Sequence, residues 1–158
     1  MYSHTQRSAP ALFLFSFAAL ALIAPLLGGA LAAAPAGARI AVIAAAIVMV
    51  ISAFAFSSLS IAVREGQLSW WFGPGLVKKT VPLSTIVSAE PTTTSIFNGW
   101  GIHLTGRGWL YNVGGRQAVL VTQQDGKRFL LGTDEPDSLA HVIMTGAQNS
   151  SRGTDSRP

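Results

Sequence analysis

The sequence predicts a membrane-embedded α-helical hairpin of two transmembrane helices, followed by an all-β barrel or sandwich of about seven strands capped by a C-terminal helix. Three observations predict it. Only Arg7 and Arg39 carry side-chain charge before Arg64 in a chain of 158 residues. Two uncharged apolar runs, residues 9–31 and 40–58, fill that first third, and about 20 such residues cross a ~30 Å hydrocarbon core as helix. From Leu59 onward the pattern changes to alternation at a spacing of two, the mark of half-buried strands.

Residues 1–8, MYSHTQRS, show no apolar periodicity and read as an N-terminal tail that carries His4 and Arg7. The first helix, 9–31, contains Pro25, which a membrane helix tolerates where neighbours re-satisfy the freed carbonyl. Residues 32–39, small and Gly/Pro-rich, form a short loop, and 40–58 the second helix. Abundant Ala and Gly on both helices allow close packing. A cleaved signal peptide is the competing reading, with ALAAAPA as cleavage site. The first run exceeds the usual 7–15-residue apolar region of such peptides, which favours a retained helix. Arg7, Arg64 and Lys78-Lys79 flank the pair on one side, against Arg39 in the loop. Positive residues favour the cytoplasmic side, so both termini are expected there.

In the globular part, residues 59–146, Ile61–Arg64 and Gln67–Phe72 read as strands joined by Glu65-Gly66, with Leu68, Trp70 and Phe72 on one face. Gly73-Pro74-Gly75 turns the chain into Leu76–Val81, and Ser84–Glu90 opens with a short turn before its strand. Gly101–Thr105 and Gly108–Val113 follow, then Gln117–Gln124 paired with Lys127–Gly132 across Asp125-Gly126. Asp-Gly between alternating strands predicts a two-residue hairpin with positive φ at both positions. Thr133-Asp134-Glu135-Pro136 is a helix start, with a capping residue, acids at the positive dipole end and Pro in the first turn. The helix carries Leu139, Val142 and Ile143 on one face and is expected to stop at Gly146, leaving 147–158 disordered.

Two apolar helices, LSIAVREGQLSWWFGPG, a Gly-Trp-Gly centre, GWLYNVGG and QDGKRFLLGTDEPDSLA together resemble membrane-anchored bacterial proteins with a pleckstrin-homology-like domain. The resemblance runs from the first helix to about Ala147 and is most specific at Gly-Trp-Gly and at GTDEP. It implies a β-barrel capped by a helix, a multi-pass protein of the bacterial inner membrane, and no reaction. Eukaryotic relatives that bind phosphoinositides use a basic loop between their first two strands. The turn here is Arg64-Glu65-Gly66-Gln67, so that recognition is not carried over.

Composition narrows function further. Charged residues are 11% of the chain against 49% hydrophobic, far below the roughly 25% charged of a soluble domain. From Arg64 onward nine basic residues face seven acidic ones, and no basic run exceeds two, which argues against a nucleic-acid face. With no Cys, disulfides, thiolate metal sites and thiol catalysis are excluded. His4, His103 and His141 lack metal-ligand spacing, and no GxSxG elbow is present. His103 and His141 read as surface residues, and no enzymatic activity or cofactor is expected. The aromatics are the better lead. Trp71 points away from the core face, close to the second helix, and with Lys78 and Lys79 forms a candidate contact with the membrane interface, where Trp concentrates. Trp109, Tyr111 and Val113 share one strand face. Trp100, between Gly99 and Gly101, together with Arg107, Trp109 and Tyr111, is the candidate partner or ligand contact, core packing being the plainer role. The function expected is a membrane-anchored, non-enzymatic binding or assembly module at the cytoplasmic face, its partners the lipid bilayer and another protein. The alternatives are a lipid or small-ligand receptor, or an accessory subunit of a transport or envelope complex.

Overall fold

The computed structural model describes residues 1–75, 77–95 and 101–155, apart from the side chains of residues 10, 11 and 152–155. Strand β1 (Tyr2–Arg7) leads into helices α1 (Ala9–Leu27) and α2 (Ala36–Ala55). Strands β2 (Ser58–Arg64), β3 (Gln67–Phe72) and β4 (Val77–Pro82) follow, then a 3-10 turn at Leu83–Thr85. The chain continues as β5 (Ile86–Thr93), β6 (Gly101–Thr105), β7 (Gly108–Asn112), β8 (Gln117–Gln123), β9 (Arg128–Gly132) and α3 (Pro136–Asp155).

Two sheets result, one ordered β1-β2-β3-β4 and one β5-β8-β9-β7-β6. The first is wholly antiparallel. In the second the β8–β9 hairpin inserts beside β5, so β9 meets β7 in parallel. The sheets share a core of Leu59, Ile61, Leu68, Trp70 and Phe72 from one side and Tyr111, Val119, Val121, Phe129 and Leu131 from the other. At its centre Trp70 stacks on Phe129, ring centroids 4.8 Å apart, and meets Tyr111 edge-on at 5.2 Å, arrangements that suit the ring quadrupoles. Helix α3 covers part of this core with Leu139, Ala140, Ile143 and Ala147. The expected sandwich with a C-terminal helix is therefore present, with nine described strands rather than about seven.

Several boundaries differ from expectation. Residues 1–8 are not a tail: β1 pairs antiparallel with β2 from Tyr2↔Val63 to Arg7↔Ser58. Its side chains alternate as in any half-buried strand, with Tyr2, His4 and Gln6 turned inward and Ser3, Thr5 and Arg7 exposed. His4 pairs with Asp134, Tyr2 donates to Glu135 at 3.4 Å, and Gln6 donates to the carbonyl of Gly114 at 3.2 Å. These polar contacts, invisible to hydrophobic periodicity, tie β1 to the other sheet. Gly146 does not stop α3. A Cβ there would lie 2.7 Å from Leu83 Cδ1, so this glycine permits close packing on the 3-10 turn. Described helix continues to Asp155 instead of disorder from 147, with Ala147 buried on the Leu139–Ile143 stripe. Strand β5 also runs past Glu90, through Pro91 to Thr93. In the β8–β9 turn only Gly126 has positive φ, and its N–H donates to Gln123 O at 3.0 Å. That is the longer hairpin, a tight turn closed by a left-handed glycine. The primed two-residue geometry appears instead at Glu65-Gly66, where both φ values are positive.

The helices pack against each other, and their most buried residues are Ala19, Ala46 and Ala53, the small side chains that let backbones approach. Leu12, Phe13, Phe17, Leu20, Ile43, Ile47, Ile51 and Phe54 are exposed around the pair. Helix α2 is long and apolar enough to cross a membrane. The described apolar helix Leu12–Leu27 within α1 falls short of that length, so among the described residues one helix rather than two meets the measure.

Candidate functional site

Sheet register decides which candidate residues meet. Outward-facing side chains of the first sheet form rungs: Thr5, Ser60, Trp71 and Lys78 on one, and Arg7 and Ser58 on the next toward the helices. Trp71 and Lys78 are directly opposed, and Lys78 Nζ lies 5.9 Å from the Trp71 ring centroid. The contact is a cation–π pair. Lys79 is not part of it. It opposes Trp70 and stands on the inward row of β4, exposed because β4 is an edge strand. A charge at such a position discourages a further strand from adding.

The position of this face follows from how the helices leave and rejoin the sheet. Ser8 N donates to Ser57 O at 2.8 Å, closing the rung next to the helix ends. The β3–β4 turn lies against the same place: Gly73 N donates to Ser58 O at 2.9 Å. A Cβ on Gly73 would come within 2.8 Å of the Phe54 and Ala55 carbonyl oxygens, so at φ +51° only glycine fits there without strain. Around this corner Arg7, Phe54, Ser57, Ser58, Gly73 and Pro74 line a cleft of about 320 Å³. Sequence reasoning used Arg7 only as a topology marker. Its place two residues before a helix, in step with Ser3 and Thr5, was the available signal.

The second candidate group separates. Tyr111 is core, 6% exposed, and burial raises its phenol pKa. Arg107 is a structural tie: Nη1 donates to Thr92 Oγ1 at 2.8 Å and Nη2 to Thr93 O at 2.7 Å. Trp109 is on the inward row with Tyr111, yet half-exposed beside Leu104 at the β6 edge. Trp100 lies outside the described residues. His103 is half-buried opposite Leu110, and His141 is exposed on α3. Among the described residues no three His, Asp or Glu side chains gather as metal ligands would.

Known proteins offer no guide to this arrangement. No family model, curated protein or solved structure matches the chain. The site therefore rests on its own geometry: an outward cation–aromatic face at the root of an apolar helix pair, and a separate exposed Leu104–Trp109 patch.

Proposed function

We propose that the protein is a membrane-anchored, non-enzymatic binding and assembly module. Helices α1 and α2 insert as a hairpin and hold the β-sandwich, a pleckstrin-homology-like domain by resemblance, at the cytoplasmic face of a bacterial inner membrane. The observation that carries this reading is the continuity β1–α1–α2–β2. The helices leave from and return to adjacent antiparallel strands, so one sheet fixes both of their ends. Between those ends the large exposed side chains are apolar apart from Arg39 near the tip, the pattern of a helix pair in hydrocarbon. At 19 and 20 residues, rising 1.5 Å each, both helices are close to the ~30 Å bilayer core. Arg39 lies near the hairpin tip, one turn into α2, where its side chain reaches the opposite interface.

The partner surface on this reading is the Leu104–Trp109 patch, where two large apolar side chains stand exposed side by side. Aromatic anchors of this kind dominate binding energy at interfaces. The receptor alternative is less favoured because Trp70, Phe72, Tyr111 and Phe129 fill the space between the sheets. A photo-crosslinking residue at position 104, used in intact native membranes, tests the module reading. One discrete protein adduct, diminished by Trp109→Ala, is the expected result. Loss of the chain from membranes in alkaline carbonate would overturn the anchor, and an absence of protein adducts would overturn assembly.

A further inference from the structure

We propose that the corner of the first sheet at the helix root binds the phosphate of an anionic phospholipid headgroup. Arg7 is its principal contact, and the Trp71–Lys78 pair flanks it. This rests on the reading of α1 and α2 as a membrane anchor. Three independent features converge there. Arg7, Trp71 and Lys78 face the same way by register, on neighbouring rungs about 7 Å apart along the strand, with Trp71 two strands and Lys78 three strands across the sheet from Arg7, roughly 10 and 14 Å. The cleft beneath Arg7 is bounded by Ser57 and Ser58 on its polar side and by Phe54 and Pro74 on its apolar side, and its volume is within the range of small-molecule sites. Its position is set by the last turn of α2, so a headgroup seated there leaves its acyl chains along the exposed apolar helices.

Charge is arranged to match. No acid lines the cleft at Arg7. Glu65 lines a neighbouring cleft with Trp71, Lys78 and Arg64, Glu90 and Asp137 lie on β5 and α3, Asp125 pairs with Lys127, and Asp134 and Glu135 face His4 and Tyr2. No acid shares a rung with Arg7, Trp71 or Lys78 in that sheet. A guanidinium suits a phosphate because it donates in a planar fork. A Trp ring carrying an ammonium suits the interfacial zone, where one end of the side chain is apolar and the other wet. An anionic surface attracts each nearby Lys or Arg by about 1 kcal/mol, equivalent to about fivefold in binding.

The same phosphate chemistry could come from a free anion, so the test separates the two sources. The full-length chain is reconstituted into vesicles of phosphatidylcholine alone and of equimolar phosphatidylcholine and phosphatidylglycerol. Carbonate resistance is scored, and lipids retained after mild detergent extraction are counted by native mass spectrometry. Insertion in both vesicles is expected, with retained lipid enriched in phosphatidylglycerol. Arg7→Gln and Lys78→Gln are each expected to lower that enrichment by about fivefold, Arg7→Lys to restore part of it, and Arg39→Gln at the far end of α2 to leave it unchanged. Inorganic phosphate added to the extracted protein is expected not to displace the lipid. Failure to insert overturns the anchor and the site together. Insertion with no enrichment, or with enrichment equal in Arg7→Gln, overturns the headgroup site alone. Displacement by inorganic phosphate overturns the lipid as its ligand.

Discussion

Adjacent residues in this chain have opposite fates, and Trp70 and Trp71 are the clearest pair. Trp70 is 3% exposed between Phe129 and Tyr111, while Trp71 points out beneath Lys78. Trp70→Ala is expected to cost about 3–5 kcal/mol in urea unfolding, as large aromatic truncations do, whereas Trp71→Ala stays within about 0.5 kcal/mol. The indole N–H of Trp70 is buried without an acceptor among the described residues. Trp70→Phe therefore removes an unpaired donor along with volume, and is expected to cost less than half as much as Trp70→Ala in the same measurement. The two faces were legible from simple alternation. The packing of Tyr111 on Trp70 and the tie of Arg107 to Thr92 and Thr93 were not legible that way, because local pattern does not bring those residues together.

Tyr2 supplies a pH dependence at the same scale. Its phenol pKa is pushed up from 10.0 to about 12, first by burial and then by the Glu135 carboxylate. Below pH 10 the phenol is neutral in both folded and unfolded chains, and its contribution is fully present. Between pH 10 and about 12 the unfolded chain ionises first, so it binds fewer protons than the folded one and stability falls as pH rises. Alkaline unfolding of wild type and Tyr2→Phe checks this. The wild type is expected to lose stability more steeply through that window, and equal slopes would show that Tyr2 contributes nothing there.

At the level of elements, β1 holds three others together. It completes the first sheet beside β2, meets the entry to α3 through His4 and Tyr2, and reaches the β7–β8 turn through Gln6. Deleting residues 2–7 removes a ladder and these clasps at once. The thermal midpoint in detergent is expected to fall by about 10 °C, corresponding to roughly 2 kcal/mol in a domain of this size. An unchanged midpoint would make β1 a passive tail. Most strands were legible because Leu68-Trp70-Phe72 and similar rows alternate cleanly. Strand β1 was not, because Tyr2, His4 and Gln6 turn inward as polar groups and bond to residues more than a hundred positions away. The α3 extension was half-legible: Ala147 continues the stripe of Leu139 and Ile143, but Gly146 reads locally as a stop. Only the presence of Leu83 beside it explains a glycine in mid-helix.

For the whole molecule, one sheet clamps both ends of the proposed membrane hairpin. Both helix ends meet at the Arg7–Ser58 rung, so on the proposed reading the N-terminus and the β-sandwich share a side of the membrane and the loop before Arg39 lies across it. The two apolar runs were plain in composition, but their mutual clamping was not, because it depends on β1. The chain has no Cys, so single cysteines report position without background. Gly37 has open space around a Cβ, and Ser3 and Lys127 are exposed, so all three accept the change. The most direct test is labelling of Ser3→Cys, Gly37→Cys and Lys127→Cys by a membrane-impermeant maleimide in cells with a permeable outer envelope. Reaction is expected at position 37 in intact cells, and at positions 3 and 127 only after the inner membrane is opened. Positions 3 and 37 reacting from the same side would contradict the hairpin.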